Sequence, residues 1–209
     1  MTGATGFVGS HLITDNRVSW LPVSRNAVEG MHAIGDICEY EDWVSLFIGV
    51  DVIVHLAAKV HDISNTDPSA YEQSNIQVVE RMSAAAVACG VRRFVFLSTI
   101  KVSGASSCGP VFTSKDNPAP LDIYGKSKAA AEKVLFNAME SSDLAVVIIR
   151  PPLVYGPGVK ANFAKLMRLA ALPLPFALVN NRRDMVSVYN LCDLIVRCIY
   201  HPAAKNQTF

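Results

Sequence analysis

The sequence predicts an α/β protein with a doubly wound parallel sheet and helices on both faces. Short apolar runs alternate with longer amphipathic segments along the chain; the clearest runs are VDVIVHLAA (50–58) and LAVVIIR (144–150). Strands buried on both faces of a parallel sheet have this continuous apolar character, and their crossover connections are usually helices. With 209 residues, the chain is long enough to bury a full core.

The predicted elements alternate regularly. Strands are expected at 17–24, 32–37, 50–58, 91–99, 144–150 and 184–188. Helices are expected after the first glycines and at 41–49, 68–89, 124–139, 161–171 and 190–201. Asp67-Pro68 is a typical helix start, and Gly49 and Gly90 are typical helix ends. A loop rich in Gly, Ser and Pro separates the two central helices, at 103–122.

Composition argues against several classes of protein. The net charge is +1 and no run of Lys and Arg exceeds a pair, so we expect no nucleic-acid partner. The apolar runs are shorter than the ~20 residues of a membrane helix, and no secretory leader is recognisable, so we expect a cytoplasmic protein with no membrane association. The five cysteines and five histidines lack ligand spacing, which favours reduced thiols and no metal.

A glycine-rich segment, MTGATGFVGSHL, opens the chain, with Gly3, Gly6 and Gly9 at intervals of three. Glycines at such a spacing before a helix allow a tight turn, close backbone approach to a pyrophosphate, and close packing of the helix. The amino end of the helix then offers N–H donors to the phosphates. The segment therefore predicts a dinucleotide-binding loop, with an ordinary surface loop as the alternative.

The strand that should lead into this loop would lie before Thr2, and Met1 is all that remains of it. The helix after the loop is short as well, from Val8 to Asp15. We therefore expect that the first strand is missing from the sequence; a clipped segment between Asp15 and Val18 would explain the short helix. Residues 1–150 are expected to form the dinucleotide-binding domain. Residues 151–209 would add substrate-binding elements, the last strand and helix, and a truncated C-terminal domain.

A second motif, YGKSK, places Tyr124 and Lys128 on one face of a predicted helix. A phenol with a pKa near ~10 is a poor acid–base group at neutral pH, but an ammonium and a cationic nicotinamide ring beside it favour the phenolate. Ser98 and Thr99 end the preceding strand, where ligands of parallel sheets bind, so a hydroxyl there could share the proton with a substrate. A solvated helix start is the alternative.

These segments together resemble the extended short-chain dehydrogenase/reductase superfamily and, within it, the nucleotide-sugar epimerases and dehydratases. The glycine spacing of TGATGFVGSH is similar, and Thr99 precedes Tyr124 by the interval of the family's catalytic Ser/Thr. HLAAKVH (55–61), QSNI around Asn75, and RPPLVYGPG (150–158) resemble further family segments. The resemblance covers essentially the whole chain and implies a Rossmann-type sheet.

The resemblance also implies roles for individual residues. The implied catalytic residues are Thr99, Tyr124 and Lys128. The implied cofactor-binding residues are Gly3, Gly6, Phe7, Val8, Gly9, Arg25, Asp36, Ile37, Leu56, Ala57, Ala58, Lys59, Asn75, Tyr124, Lys128 and Pro151. The implied substrate-binding residues are Ser98, Thr99, Lys101, Tyr124, Asn162 and Arg183. Asn162 and Arg183 would hold the substrate diphosphate, and a guanidinium suits phosphate oxygens on chemical grounds as well.

The implied reaction is epimerisation at C4 of a UDP-hexose by transient hydride transfer to NAD(P). The alternatives are an NADPH-dependent reductase of a UDP-4-keto sugar, a related decarboxylase or dehydratase, and a dinucleotide-binding redox sensor without turnover. The relatives commonly have VYG after the catalytic Ser/Thr, whereas Ser103 replaces the tyrosine in this chain. The resemblance further implies a possible homodimer through helices 68–89 and 124–140.

The choice between NAD and NADP depends on the end of the second strand. A carboxylate there would bind the ribose 2′-hydroxyl of NAD, and an arginine nearby would accept the 2′-phosphate of NADP. The sequence has Ser24 and Arg25 in VSRN and no acid, which favours NADP without excluding NAD. Asp36 would contact the adenine or, alternatively, cap a following helix.

Overall fold

The computed structural model describes residues 1–60, 67–104, 111–159 and 183–209. Its strands are β1 (Val23–Ser24), β2 (His32–Ala33), β3 (Val52–His55), β4 (Arg93–Leu97), β5 (Ala145–Ile149), β6 (Leu153–Tyr155) and β7 (Met185–Ser187). Its α-helices are α1 (Phe7–Leu12), α2 (Trp43–Phe47), α3 (Pro68–Tyr71), α4 (Val78–Ala88), α5 (Ile123–Glu140) and α6 (Val188–Tyr200). A π-helix over Glu72–Gln77 joins α3 to α4, and 3-10 turns cover Ile100–Val102 and Pro202–Ala204. The predicted helix at 161–171 lies outside the described residues.

A parallel sheet at the centre of the fold confirms the predicted α/β class. β1 pairs with β2, and β3, β4 and β5 pair in that order, all in parallel register. Thr2 joins the two groups through parallel bridges to Val23 and His55. The order across the sheet is therefore β2, β1, Thr2, β3, β4, β5, and β6 and β7 form a separate parallel pair.

Met1 and Thr2 occupy the carboxyl end of the central strand position. The Thr2 N–H donates to the Val54 carbonyl at 3.1 Å, and the Val23 N–H donates to the Met1 carbonyl at 2.8 Å. Met1 and Thr2 thus pair with both β1 and β3 at the centre of the sheet. Towards the amino ends of β1 and β3 lies a cavity of about 1010 Å³, lined mainly by apolar residues that include Phe47.

Alternate side chains of each strand enter two separate cores, as the pleat of a strand requires. Phe94 and Phe96 of β4 pack in the core beneath α2, α4 and α5, where Leu135 is fully buried. Val95 points to the opposite core, which α1 and α6 cover and in which Ile195 is fully buried. Helices on both faces explain why the strand sequences are apolar without alternation.

Aspartates fix the starts of the helices on the first core. Asp122 begins α5 and accepts a hydrogen bond from the Gly125 N–H at 2.6 Å. Asp67 caps α3 ahead of Pro68, as the sequence predicted, and Asp42 caps α2. Among the described helices, none is both long and apolar enough to cross a bilayer.

The structure corrects several predicted boundaries. The predicted strand at 17–24 is limited to β1, because Arg17 and Trp20 bond back to Asp15 and hold the preceding residues in a turn. The predicted helix at 68–89 contains the π-helix at its centre. Residues 207–209, for which no strand was predicted, pair with the edge of β5 through the main chain of Ile148.

We expect Leu135→Ala to lower the free energy of unfolding by about 3 kcal/mol, because it removes a fully buried side chain from the core between α5 and the sheet. Lys133→Ala, at an exposed position of the same helix, is expected to change it by less than about 0.5 kcal/mol. Urea denaturation of the two variants measures the difference. Equal effects would show that α5 does not pack as described.

Candidate active site

Three glycines allow the loop before α1 to fold against its neighbours. Gly3 has φ +73°, and a Cβ there would lie 2.7 Å from the Ala57 nitrogen. A Cβ on Gly9 would lie 2.1 Å from the Gly3 carbonyl oxygen, and one on Gly6 would lie 3.1 Å from the same atom. Side chains are therefore excluded from the two closest contacts. The loop, the start of α1 at Phe7 and Val8, and the segment after β3 from Leu56 to Lys59 meet at the carboxyl edge of the sheet.

A smaller cavity of about 370 Å³ opens beside the glycine loop at the carboxyl ends of β1 and β2. Gly3, Ser24, Arg25 and Ile37 are among its lining residues, and no acid lines it among the residues described. Asp36 lies next to it, bonded to the Cys38 N–H at 2.9 Å and paired with Arg25 at 3.4 Å. These contacts, the Cys38 N–H first, hold the pKa of Asp36 below its usual value.

Asn75 connects the segment after β3 to α5. Its side chain accepts a hydrogen bond from the Lys59 N–H at 2.8 Å and donates to the Lys59 carbonyl at 3.0 Å. It also lies 2.9 Å from the Ser127 hydroxyl, which itself donates to the Tyr124 carbonyl. Asn75 is buried in the π-helix, a feature that often occurs at functional sites. It therefore fixes the backbone around the predicted cofactor-binding residues.

The end of β4 places Thr99 at the same edge of the sheet. The Ser98 N–H donates to the Ile149 carbonyl at 2.7 Å, and the Ile100 N–H donates to the Pro151 carbonyl at 3.0 Å. These bonds align the ends of β4 and β5 around Thr99. Thr99 begins the 3-10 turn, and its hydroxyl oxygen accepts a hydrogen bond from the Lys101 N–H at 3.4 Å.

The first turn of α5 lies directly against this 3-10 turn. A Cβ at Gly125 would lie 2.9 Å from the Lys101 carbonyl oxygen, so a residue without a side chain permits the contact. The Lys101 amine pairs with Asp122 at 2.5 Å and lies 6.0 Å from the centre of the Tyr124 ring. Tyr124 is thereby held close to the end of β4 that carries Thr99.

The pKa of Tyr124 moves opposite to the sequence-based expectation. Burial, with smaller contributions from Asp122 and Tyr71, raises it to about 12. The phenol is therefore protonated at neutral pH in this structure. Among the described residues, no hydrogen bond joins the Tyr124 hydroxyl to Thr99 or to Lys128, so these residues share an edge of the sheet without direct bonds.

Lys128 is buried one turn further along α5. Its amine lies 3.8 Å from the centre of the Phe96 ring, a distance suited to a cation–π contact. Burial lowers the pKa of Lys128 to about 7, and the negative charge of Glu132 opposes that shift. Near neutral pH the amine is thus divided between its charged and neutral forms.

Glu132, Arg150 and Ser98 form a buried network that the sequence analysis missed. Arg150 donates to Glu132 through Nε at 3.1 Å and Nη2 at 2.6 Å, and the Ser98 hydroxyl donates to the same carboxylate. All three residues are buried. This placement argues against the predicted substrate contact of Ser98. An acid four residues after Lys128, on the buried face of α5, was the available signal.

The remaining predicted substrate residues are farther from this cluster in the chain. Arg183 is an exposed residue just before β7, and Asn162 lies outside the described residues. The structure therefore leaves their predicted contact with a diphosphate as a prediction. No group of three or more metal-ligating side chains occurs within the four described segments.

A model of the NAD dependent epimerase/dehydratase family matches residues 1–209. A UDP-glucose 4-epimerase of Vibrio cholerae is 42% identical over 224 residues, which cover 100% of this chain and 68% of the relative. An N-acetyl-alpha-D-glucosaminyl-diphospho-ditrans,octacis-undecaprenol 4-epimerase of Escherichia coli O157:H7 is 28% identical, with 100% of this chain and 65% of the relative covered. The chain thus spans about two thirds of each relative.

Solved structures have the same fold. MoeE5 in complex with UDP-glucuronic acid and NAD is 26% identical, with a TM-score of 0.80 over 99% of this chain and 73% of that one. A UDP-glucuronic acid 4-epimerase from Bacillus cereus in complex with NAD has a TM-score of 0.85 at 23% identity, over 100% of this chain and 75% of that one. The likeness confirms the Rossmann-type arrangement of the described sheet.

Acid should destabilise the fold through His55, which lies under the site stacked on Phe96 and 2.6 Å from the Thr2 hydroxyl. Burial, with the charges of Lys128 and the N-terminus, lowers the pKa of His55 from 6.5 to about 3. Below pH 6.5 the unfolded chain therefore binds a proton that the folded chain does not, and stability falls as pH falls.

We expect the free energy of unfolding to fall by about 2 kcal/mol more in the wild type than in His55→Gln between pH 6.5 and pH 5. Urea denaturation at the two pH values measures this difference. Glutamine can keep the bond to Thr2 without titrating in this range. Parallel pH dependences in the two proteins would contradict a buried, neutral His55.

Proposed function

Because the chain belongs to the NAD dependent epimerase/dehydratase family, we propose that it is a nicotinamide-dependent epimerase acting at C4 of a UDP-linked hexose. The observation that carries this proposal is the placement of Thr99, Tyr124 and Lys128 at the sheet edge that also holds the glycine loop. The 42% sequence identity to a UDP-glucose 4-epimerase, over the whole of this chain, supports the choice of reaction.

The chain's own residues fit a bound dinucleotide. The contacts at Gly3 and Gly9 leave room for no side chain, which suits a backbone that approaches a pyrophosphate, and the neighbouring cavity can hold an adenosine. The glycine loop and the start of α1 would bind the phosphates, and Ala57 and Pro151 would flank the nicotinamide. When bound, this cofactor supplies reversible hydride acceptance at C4.

We propose NAD as the cofactor. NAD is the dinucleotide named in the complexes of MoeE5 and the Bacillus cereus epimerase. Arg25 favoured NADP at the level of sequence, but its guanidinium pairs with Asp36 at 3.4 Å, which reduces its free positive charge towards a 2′-phosphate. Position 24 is a serine and offers no carboxylate to the 2′-hydroxyl of NAD, so binding of NADP remains an outcome to test.

Proton transfer at the substrate O4 would be the role of Tyr124, with the Thr99 hydroxyl holding the same oxygen. The phenol starts protonated, since burial holds its pKa at about 12. The ammonium of Lys128, four residues further on α5, favours the phenolate form, as does the positive charge of an oxidised cofactor. After the phenol has lost its proton to solvent, the Tyr124 phenolate can accept the proton of the C4 alcohol and return it to O4 when the turned ketone is reduced again.

We place the UDP-sugar over the ends of β4 and β5. Lys101 has an exposed amine beside Tyr124, and Arg183 carries a charge suited to a diphosphate. Ser103 is buried next to the 3-10 turn.

A homodimer through the helical segments 68–89 and 124–140 is part of the proposal. Light scattering tests it, and a monomer would refute it.

The decisive experiment incubates the protein with UDP-GlcNAc or UDP-glucose without added nucleotide and follows the C4 epimer. In a separate sample of the same preparation, any bound cofactor is released and identified by mass. We expect conversion by the wild type, and a loss of about 10²–10⁴-fold in rate for Tyr124→Phe with cofactor binding retained, because the proton-transfer group is gone. Tyr200→Phe, which removes a hydroxyl bonded to Arg17 far from the site, should keep the wild-type rate.

Other results would redirect the assignment. NADPH consumption on a 4-keto sugar with no epimer formed would indicate the reductase. Bound dinucleotide with no turnover of either substrate, unchanged by Tyr124→Phe, would indicate a redox sensor.

Gly9→Ala should weaken dinucleotide binding at least about tenfold, because the new Cβ would lie 2.1 Å from the Gly3 carbonyl oxygen and force the loop to shift. Ser10→Ala, at the next and exposed position of α1, is the matched control and should bind like the wild type. Isothermal titration calorimetry of each protein with NAD and with NADP measures its affinity for the two dinucleotides. Wild-type affinity in Gly9→Ala would place the dinucleotide elsewhere.

A further inference from the structure

The buried carboxylate of Glu132 binds two strands to the helix that carries Tyr124 and Lys128. Ser98, which donates to it, directly precedes Thr99 at the end of β4. Arg150, which donates two further bonds at 3.1 and 2.6 Å, directly follows β5. The carboxylate therefore connects three elements at the level of the candidate triad. Both carboxylate oxygens accept a hydrogen bond from the Arg150 guanidinium, which is the contact of an ionised carboxylate.

Glu132 is also the acid whose negative charge acts on the buried amine of Lys128. It follows Lys128 by one helical turn, so the two side chains lie on one face of α5. The other titratable groups around Lys128 are uncharged at neutral pH: His55 from β3 has a pKa of about 3, and Tyr124 has one of about 12. Arg150 adds a positive charge from the end of β5 and is paired with the Glu132 carboxylate at 2.6 Å.

We propose that Glu132 is a positioning residue for the triad, which holds the ends of β4 and β5 against α5 and supplies the negative charge that raises the protonated fraction of Lys128. A purely structural Glu132 would hold the fold together but leave the charge of Lys128 unchanged. The inference rests on the proposed function only for its consequence, since a protonated Lys128 is what favours the Tyr124 phenolate.

The test titrates Lys128 directly in the full chain, without substrate or added cofactor. Lysine is labelled with ¹³C at Cε, the Lys128 signal is assigned by its loss in Lys128→Arg, and its titration midpoint is followed by NMR. The wild-type midpoint is expected near 7. Glu132→Gln should lower it by about 1 unit or more, because the opposing charge is removed. Glu132→Asp, which keeps the charge, should restore it towards the wild-type value.

Two further variants separate charge from fold. Glu140→Gln removes an exposed acid two turns further along α5 and should leave the Lys128 midpoint unchanged. Glu132→Gln/Arg150→Gln leaves neither partner as an unpaired buried charge, so it can be measured if the single variant does not fold. Its midpoint should also lie below that of the wild type.

A wild-type midpoint in folded Glu132→Gln, or in the double variant, would overturn the proposal and leave Glu132 a structural role. Because this readout needs no turnover, it is independent of the epimerase assay. A lowered midpoint in a protein without epimerase activity would uphold the role of Glu132 and refute the proposed function. In an active enzyme, the acid limb of the pH–rate profile of Glu132→Gln should move to higher pH.

Discussion

One electrostatic constraint governs the candidate site: the amine of Lys128 is buried against the face of Phe96. A charged amine in apolar surroundings is unstable unless opposite charge or π-density lies nearby. Phe96 supplies the π-density and Glu132 supplies the opposite charge. Arg150 in turn holds the Glu132 carboxylate in place. Beneath Thr99 and Tyr124, one carboxylate therefore offsets part of the positive charge of two basic groups. The ends of β4 and β5 are bonded to that carboxylate, so the geometry of the edge above depends on it.

Close backbone contacts place the remaining parts. Gly125 allows the start of α5 to touch the turn after β4, where a Cβ would lie 2.9 Å from the Lys101 carbonyl oxygen. Gly3 does the same between the first loop and Ala57. In both cases a single methyl group would separate elements whose side chains must cooperate. Gly125 thus sets the distance between α5 and the turn after β4, and Gly3 sets the distance between the first loop and Ala57. Gly3 also allows the turn with its positive φ.

The motif residues and the order of elements are predictable from the sequence because each has a local signal. Glycine spacing, the Tyr124–Lys128 interval and continuous apolar strands are all visible within a few residues. The network of Ser98, Glu132 and Arg150 has no such signal, since its members come from three elements and meet only through the fold. The same holds for the raised pKa of Tyr124, which results mainly from burial, with a smaller contribution from Asp122. The edge pairing of 207–209 likewise depends on hydrogen bonds between segments that are distant in the sequence.

The protonated state of Tyr124 gives the Lys101–Asp122 ion pair a part in the proton balance. Asp122 caps α5 and its negative charge disfavours the Tyr124 phenolate, while Lys101, paired with it at 2.5 Å, neutralises that charge. In the proposed complex Lys101 would also contact the substrate. An amine drawn towards the substrate would leave Asp122 less neutralised and make Tyr124 a weaker acid. Under the proposed function, substrate contact by Lys101 and proton release by Tyr124 would therefore oppose each other through one aspartate.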